Sequence, residues 1–273
     1  MNEYQDIEYQ QSGAVAQITL NRPDRLNALG KNMLLEIGNA MDRAEADEDI
    51  RVIVISGKGR AFSSGFDLKE QMERNPRGAK VWREILDLDF QTTMRFWNSR
   101  KPTIAAVHGA CLAGAFELSL ACDLTIACET AVFGEPELKF GAGIVTMLLP
   151  WITGPKHAKQ IILTGNDQVG AREALGMGLV SSVVAEGEHL DSALKTAQRM
   201  SLIDPNLVMQ TKKAINQAFD IQGFPAALEA ALELDHGIES EGSPDKRAFM
   251  DIARKDGLKK AIAWRDARFL LDE

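Results

Sequence analysis

Three short apolar runs place the strongest constraint on how this chain can fold. They are VIVIS (52–56), TIAAV (103–107) and LTIA (124–127), and each is apolar or small at nearly every position. A strand with one solvated face alternates polar and apolar residues, whereas a strand buried on both faces reads as a continuous run. The runs therefore predict buried strands at the centre of an α/β fold.

Turn signals and helical periodicity predict the elements around these strands. Ile7 to Gln11 and Val15 to Leu20 are expected to form a hairpin around Ser12-Gly13. Asn27 is expected to cap a helix that runs to about Ala46. One more strand is expected at 179–184.

Helices account for most of the remaining chain. The spacing of Asp67 and Glu70 resembles a capping box and predicts a helix from Asp67 to Glu73, and residues 80–98 are amphipathic. The stretch 109–116 is expected to be a small-residue turn that enters a helix. Further helices are predicted near 155–164, 170–177, 188–200, 205–218, 224–240, 243–253 and 257–266. The break at Asp204-Pro205 divides a core, 1–204, from a helical region, 205–273.

Charge and composition exclude several classes of protein. The 273 residues carry a formal net charge of −8, which argues against nucleic acid or an anionic membrane as the main partner. No apolar run of about 18 residues predicts a membrane helix, and the N-terminus does not read as a signal peptide. The three cysteines do not indicate a disulfide framework, so we expect a cytoplasmic protein. Cys111 follows His108 at metal spacing, but no second ligand pair accompanies them, so no metal site is predicted.

Two glycine-rich loops are candidates for binding a negatively charged oxygen. AFSSGFDL (61–68) and HGACLAGAFEL (108–118) both contain small residues and lead into predicted helices. Backbone N–H groups in such turns can stabilise charge that develops on a carbonyl oxygen. The alternative is that both loops are tight turns that pack strands on helices.

Two glutamates are candidates for proton transfer. Glu117 is flanked by apolar residues in the helix after the second loop, and this setting should raise its pKa. Glu137 follows Pro136 in FGEPEL, and only one of Glu135 and Glu137 can face a pocket if this stretch is extended. The alternative for each glutamate is a solvated surface charge.

These segments resemble the crotonase superfamily, the enoyl-CoA hydratase/isomerase family. The resemblance runs along nearly the whole chain, and its longest segment is KPTIAAVHGACLAGAFELSLACDLTIA at 101–127. The other matching segments are NRPDRLNAL (21–29), AFSSGFDLKE (61–70), FGEPELKFG (133–141), LTG (163–165), AREALGMGLV (171–180) and WRDARF (264–269).

The resemblance implies a set of site residues. The backbone N–H groups of Phe66 and Gly114 would form an oxyanion hole for the thioester carbonyl of an acyl-CoA. Glu137 would be the principal proton donor and acceptor, and Glu117 would position and activate water, although the two roles could be shared or reversed. No metal or redox cofactor is implied, because coenzyme A is part of the substrate. Residues implied to bind coenzyme A are Arg25, Leu26, Asp67 and Leu68, and candidates for the acyl pocket are Trp82, Leu86, Phe90 and Met147.

The sequence departs from the family pattern after Glu137. Many hydratases carry a G-x-x-P-G-A-G-G loop there, whereas this chain reads KFGAGIVTMLLPW. Gly143 is a candidate for the backbone contact that this loop supplies, and the difference indicates an altered acyl pocket. Near the C-terminus Arg265 or Arg268 would replace the lysine that relatives place against the phosphates of coenzyme A.

The resemblance also implies an architecture and an activity. The expected fold is a ββα spiral core with a helical C-terminal region that builds homotrimers or hexamers. The expected activity is hydration of a 2-enoyl-CoA, as in fatty acid metabolism. Another reaction through the same enolate stays open (isomerisation, C–C hydrolysis or decarboxylation), as does a catalytically silent scaffold that binds acyl-CoA or RNA. A serine hydrolase using Ser63 or Ser64 is disfavoured, since the chain lacks a G-x-S-x-G elbow.

Overall fold

A six-stranded sheet forms the centre of the molecule. The computed structural model describes residues 4–270. The sheet has the order β1-β2-β3-β4-β6-β9, in which β1 and β2 form an antiparallel hairpin and every later pairing is parallel. Its strands are β1 (Ile7–Ser12), β2 (Val15–Leu20), β3 (Val52–Gly57), β4 (Thr103–Val107), β6 (Leu124–Cys128) and β9 (Ser182–Val184). The predicted hairpin and the three buried strands are confirmed.

A smaller sheet of three strands accompanies the first. It consists of β5 (Ala110–Leu112), β7 (Val132–Gly134) and β8 (Val169–Gly170), in the order β5-β7-β8. The prediction of a plain turn over 109–116 is wrong in this respect, because its centre is strand β5. Strands of two or three residues are too short for a periodic pattern, and only their pairing with distant segments defines them.

Twelve α-helices cover the sheets and form the C-terminal part of the described chain. They are α1 (Lys31–Ala46), α2 (Leu68–Arg74), α3 (Ala79–Asn98), α4 (Gly114–Ala121), α5 (Leu149–Ile152), α6 (Gly154–Thr164), α7 (Ala171–Gly176), α8 (His189–Ser201), α9 (Pro205–Ile221), α10 (Phe224–Glu241), α11 (Pro244–Asp256) and α12 (Leu258–Ala267). Two short 3-10 helices lie at Pro23–Arg25 and Glu137–Phe140. Among residues 4–270, no helix has the length and apolarity needed to cross a membrane.

Both faces of the large sheet are buried, as the continuous strand sequences predict. In β3, Ile53 and Ile55 belong to the main core with α1, while Val52 and Val54 pack with Ala193 of α8 on the opposite face. This sandwiching leaves the ends of the strands, and the loops that follow them, as the places where a ligand can reach the interior.

Asn27 does not cap α1, which corrects the prediction. The helix begins at Lys31, and Asn27 is fully buried in the left-handed conformation, with φ 51°. Its side-chain amide donates to the carbonyl oxygens of Lys58, Ala61 and Phe62, and its Oδ1 accepts from the Arg22 amide. Asparagine tolerates this conformation better than most residues and here ties the first glycine-rich loop to the preceding turn.

Two further boundaries differ from the prediction. Asp67 caps α2 by accepting from the amides of Lys69 and Glu70, but Glu70 does not complete a capping box, because its carboxylate accepts from the Lys31 amide. Of the predicted strand 179–184, only β9 pairs, while Leu179 and Val180 are buried in the core ahead of it.

The division at 204/205 and the role of α9–α12 in oligomerisation stay predictions.

Candidate active site

The two glycine-rich loops lie side by side. The Ser63 amide donates to the Ala110 carbonyl oxygen at 3.0 Å, and the Leu112 amide donates to the Ser63 carbonyl oxygen at 3.2 Å. The amide of Leu29 donates to the Gly65 carbonyl oxygen at 2.8 Å on the other side of the first loop. The first loop is therefore held between the turn before α1 and strand β5.

Two glycines allow the loops to approach this closely. A Cβ atom on Gly65 would lie 2.5 Å from the Ala113 Cβ and 2.7 Å from the Leu112 carbonyl oxygen, and Gly65 has φ +89°. A Cβ atom on Gly114 would collide with the ring of Phe66. Only glycine fits both positions, so Phe66 and Gly114 lie on segments in direct contact.

The amides of Phe66 and Gly114 are candidates for binding a ligand oxygen, although Gly114 itself is buried and is not among the residues that line the cavity. Among the hydrogen bonds of residues 4–270, neither amide donates to a backbone carbonyl. Gly114 is the first residue of α4, where an amide has no acceptor within the helix. Ala113 before it has a strained backbone conformation with φ 58° and ψ −138°, which costs an alanine about 1–3 kcal/mol and turns the chain into the helix.

Glu117 is buried inside α4, a helix whose eight residues are all buried. Its carboxylate accepts from the Thr146 amide at 3.0 Å and is 1% exposed. Burial, followed by the nearby charge of Glu137, raises the pKa of Glu117 well above its usual range. The apolar neighbours in the sequence predict this shift. A cavity of about 620 Å³ lies close to this part of the structure, and Glu117 is not among the residues that line it.

Glu137 lies on the cavity wall at the start of a 3-10 helix. Burial raises its pKa from an ordinary value of 4.5 to about 7, and the neighbouring Glu135 side chain limits the increase. Its Oε2 is buried and has no hydrogen-bond partner within the described residues. A carboxyl group that titrates near neutral pH and faces a cavity is suited to moving a proton.

A third carboxylate, Glu135, joins this pair and was missed as a site residue. It is fully buried, and burial together with the charges of Glu137 and Glu117 raises its pKa well above the usual range. The stretch 134–138 is not extended, because Pro136 turns it into the 3-10 helix Glu137–Phe140, so strand alternation does not separate the two side chains. As a neutral carboxyl, Glu135 can donate to Glu137 and stabilise its ionised form.

One cavity of about 620 Å³ extends from an exposed basic rim to Glu137. Phe66, Ala113 and Glu137 are part of its wall. The side chains of Arg25 and Lys69 at the rim are 40% and 49% exposed. The volume is in the range of small-molecule sites, and one end is open and cationic while the other is buried.

All four residues predicted to bind coenzyme A line this cavity. They are Arg25, Leu26, Asp67 and Leu68. Although burial opposes ionisation of Asp67, hydrogen bonds from the Glu70 amide and Arg22 lower its pKa, and its Oδ2 lies 3.2 Å from Arg25 Nη1. Arg265 also lines the cavity, whereas Arg268 stacks on Trp264 outside it.

The four acyl-pocket candidates separate into two pairs. Trp82 and Leu86 line the cavity. Phe90 and Met147 do not: Phe90 packs behind Leu86, and Met147 packs against the main core. Val145 also lines the cavity, and the roles of Phe90 and Met147 in an acyl pocket stay predictions.

Gly143 lines the cavity, but its amide is engaged. It donates to Glu239 Oε1 at 3.4 Å, and a Cβ atom on Gly143 would collide with the carboxylate of Asp235. Four buried charged residues of the wall were not predicted from the sequence, namely Asp89, Asp235, Glu239 and Lys246. The sequence did contain a signal for one of them. Asp89 follows Leu86 by three residues in α3, so it is a single charge on the buried face of an amphipathic helix.

The cysteines and histidines contribute no second centre to this site. Cys111, Cys122 and Cys128 are buried and unpaired, and burial raises the pKa of the Cys111 thiol to about 12. Within residues 4–270, no group of three or more histidine, cysteine, aspartate or glutamate side chains has a geometry that could hold a metal ion.

Comparison with known proteins places this geometry in one family. The sequence profile of the enoyl-CoA hydratase/isomerase family matches residues 10–247. A short-chain-enoyl-CoA hydratase of Clostridium acetobutylicum is 34% identical, with 94% of this chain and 99% of that protein covered.

Two solved structures share the fold. One is an enoyl-CoA hydratase/isomerase from Xanthobacter autotrophicus Py2, which is 59% identical with a TM-score of 0.97 and covers 98% of this chain and 100% of its own. The other is an enoyl-CoA hydratase from Mycobacterium smegmatis, which is 26% identical with a TM-score of 0.88 over 97% of this chain and 94% of its own.

The fold and the site define an α/β enzyme of the crotonase class. The chain belongs to the enoyl-CoA hydratase/isomerase family, so the fold expected from the resemblance is confirmed.

Proposed function

We propose that this protein adds water across the 2,3 double bond of a 2-enoyl-CoA thioester. The observation that carries the proposal is that Glu137, a buried carboxyl group with a raised pKa, shares one cavity with Phe66 and Ala113, while the charge of Glu137 also reaches the buried Glu117. The amides of Phe66 and Gly114 on these two loops donate to no backbone carbonyl within the described residues. The relatives named above as enoyl-CoA hydratases support the same activity.

The reaction begins with polarisation of the thioester. The amides of Phe66 and Gly114 donate to the carbonyl oxygen, so negative charge can move onto it as water attacks C3. The electrons of the double bond then form an enolate that the two amides stabilise. Small residues at Gly65 and Gly114 let the thioester reach the backbone.

The carboxyl pair moves the protons. Because burial raises the pKa of both glutamates and the charge of Glu137 raises that of Glu117 further, the pair can both accept and donate a proton near neutral pH. Glu117, fixed by the Thr146 amide, positions and activates the water. Glu137 is the principal proton donor and acceptor, and delivery of a proton to C2 completes the 3-hydroxyacyl-CoA.

The ligand is held as a coenzyme A ester. Arg25 and Arg265 supply positive charge at the wall for phosphate groups, and the thioester chain runs inward past Phe66. Coenzyme A is then part of the substrate, and the mechanism uses no further cofactor.

Exposed apolar side chains on α9 and α10, among them Leu207, Ile215 and Leu234, support a homotrimer or a dimer of trimers, which light scattering would test.

A direct assay follows the loss of the conjugated enoyl absorbance with crotonyl-CoA and longer 2-enoyl-CoA esters. Glu137→Gln should lower kcat by about 10²–10⁴-fold and leave the affinity for a saturated acyl-CoA unchanged. Exposed Glu129→Gln is the matched control. Unchanged turnover in Glu137→Gln would contradict the mechanism.

One observation favours a second candidate function. The amide of Gly143, in the segment where many hydratases hold their water, already donates to Glu239. If wild-type protein binds acyl-CoA esters but hydrates none, isomerisation, C–C hydrolysis or decarboxylation through the same enolate becomes the better proposal, and product analysis separates the three. Binding without any turnover would favour a catalytically silent scaffold.

A further inference from the structure

The buried end of the cavity is polar, which an all-hydrocarbon acyl chain does not require. Asp235 of α10 lines the cavity and is only 2% exposed. Neither oxygen of its carboxylate has a hydrogen-bond partner within the described residues. A buried carboxylate without donors is costly, so this position calls for a donor from a molecule in the cavity.

The neighbouring lysine does not satisfy Asp235. Lys246 Nζ forms an ion pair with Glu239 and lies 4.4 Å from the centre of the Trp82 ring. Glu239 uses its other oxygen to accept from the Gly143 amide. Lys246 and Glu239 are therefore paired with each other. Asp235 has no hydrogen-bond partner beside them, although burial raises its pKa to about 6 and the charge of Lys246 limits this increase.

A further buried carboxyl group of the wall belongs to Asp89 of α3. It is 7% exposed, and burial followed by the charge of Asp235 raises its pKa well above the usual range. Asp89, Asp235 and Glu239 thus lie with Lys246 among the buried residues of the wall. This balance disfavours an acyl group with a terminal carboxylate and favours one that brings a hydrogen-bond donor.

We propose that the natural substrate is a thioester whose acyl chain carries a hydroxyl group at its far end, and that Asp235 accepts the hydrogen bond from this hydroxyl. The inference rests on the proposed function for the identity of the thioester and adds the substrate class. A plain hydrocarbon chain would displace water from Asp235 and leave the carboxylate without donors. Trp82 and Leu86 still provide apolar contact for the carbon atoms between the thioester and the hydroxyl.

The test compares matched esters of the same length. We would measure kcat/KM for 2-enoyl-CoA esters of four to ten carbons that end in methyl, hydroxyl, amine or carboxylate. A hydrogen bond to a charged group is worth enough to give at least a roughly tenfold preference for the hydroxyl over the methyl ester at one or more lengths. The carboxylate ester should be the poorest of each set, and preference for the amine over the hydroxyl would overturn the assignment of a hydroxyl.

Variants assign the preference to Asp235. Asp235→Leu should abolish the preference for the hydroxyl ester and improve the methyl ester, while Asp235→Asn, which keeps an oxygen acceptor, should retain part of it. Glu229→Gln, on the exposed face of the same helix, is the control and should leave the preference unchanged. If Asp235→Leu does not fold, the intermediate preference of Asp235→Asn serves as the test.

A binding measurement separates this inference from the proposed function. Saturated 6-hydroxyhexanoyl-CoA and hexanoyl-CoA, with the matching pairs of eight and ten carbons, are titrated by calorimetry, which requires no turnover. Tighter binding of the hydroxyl esters, lost in Asp235→Leu, supports the inference even if no enoyl-CoA is hydrated. Equal or weaker binding of the hydroxyl esters at every length, or a preference that Asp235→Leu does not change, would overturn it.

Discussion

Replacing Gly65 with alanine tests whether the two loops form one catalytic structure. The new Cβ would lie 2.5 Å from the Ala113 Cβ and 2.7 Å from the Leu112 carbonyl oxygen, neither of which is the end of a flexible side chain. Overpacking of this kind costs about 1–3 kcal/mol. The left-handed φ of +89° adds about 1–2 kcal/mol for any residue with a Cβ. We therefore expect Gly65→Ala to lower the free energy of unfolding by about 2–5 kcal/mol.

Gly13→Ala isolates the backbone contribution to that loss. Gly13 also has a positive φ, +58°, but a Cβ atom there would meet nothing within 4 Å. Urea unfolding of both variants gives the steric cost as the difference between them. In addition, movement of the Phe66 amide away from Gly114 should reduce kcat by about 10²–10³-fold, the usual effect of losing one oxyanion donor. If Gly65→Ala matches Gly13→Ala in both stability and kcat, the loops do not meet as described.

Three further variants probe the groups around the site. Glu135→Leu removes the neighbouring side chain that limits the pKa of Glu137, so the pH-rate limb that reports Glu137 should move to higher pH. Glu135→Gln keeps an N–H donor and should restore the limb, and equal profiles for the two variants would refute the link. Because the pKa of Glu137 rises from 4.5 to about 7 on folding, its contribution to stability falls as pH rises through that window. The free energy of unfolding of Glu137→Gln should therefore exceed that of the wild type by about 3 kcal/mol at pH 8 and by little near pH 4. The same difference at both pH values in urea unfolding would contradict the burial argument. Asn27→Ala leaves three buried carbonyl groups without their donor and should lower the unfolding free energy by about 2–4 kcal/mol. The control Asn32→Ala, at an exposed position, should lower it by less than about 1 kcal/mol. Similar losses in the two variants would show that the side chain of Asn27 is dispensable.

The sequence predicts those parts of the fold that local patterns determine. The apolar runs of β3, β4 and β6 fix buried strands because both faces of each strand are covered, and the apolar spacing of α3 and α8–α12 marks their helices. The start of α1 could not be predicted in this way. Asn27 suits a cap or a left-handed turn equally well, and only contacts with residues about 30 positions away decide between them.

The candidate site shows the same limit. The resemblance identified Glu117, Glu137 and the two amides, and Trp82 and Leu86 follow from the periodicity of α3. The polar end of the cavity depends on α3, α10 and α11 meeting one another. No local pattern shows that Asp235 and Lys246 will converge there, because their spacing in the sequence says nothing about how their helices pack.

The most direct test of the mechanism measures the thioester carbonyl itself. Infrared difference spectra of a carbon-13-labelled enoyl-CoA, bound to the slow Glu137→Gln protein, report how strongly the C=O bond is polarised. Two amide donors should shift the carbonyl stretch to lower frequency relative to the free ester, and Gly65→Ala in the same background should remove most of the shift. A bound ester with the carbonyl frequency of the free ester would contradict the account.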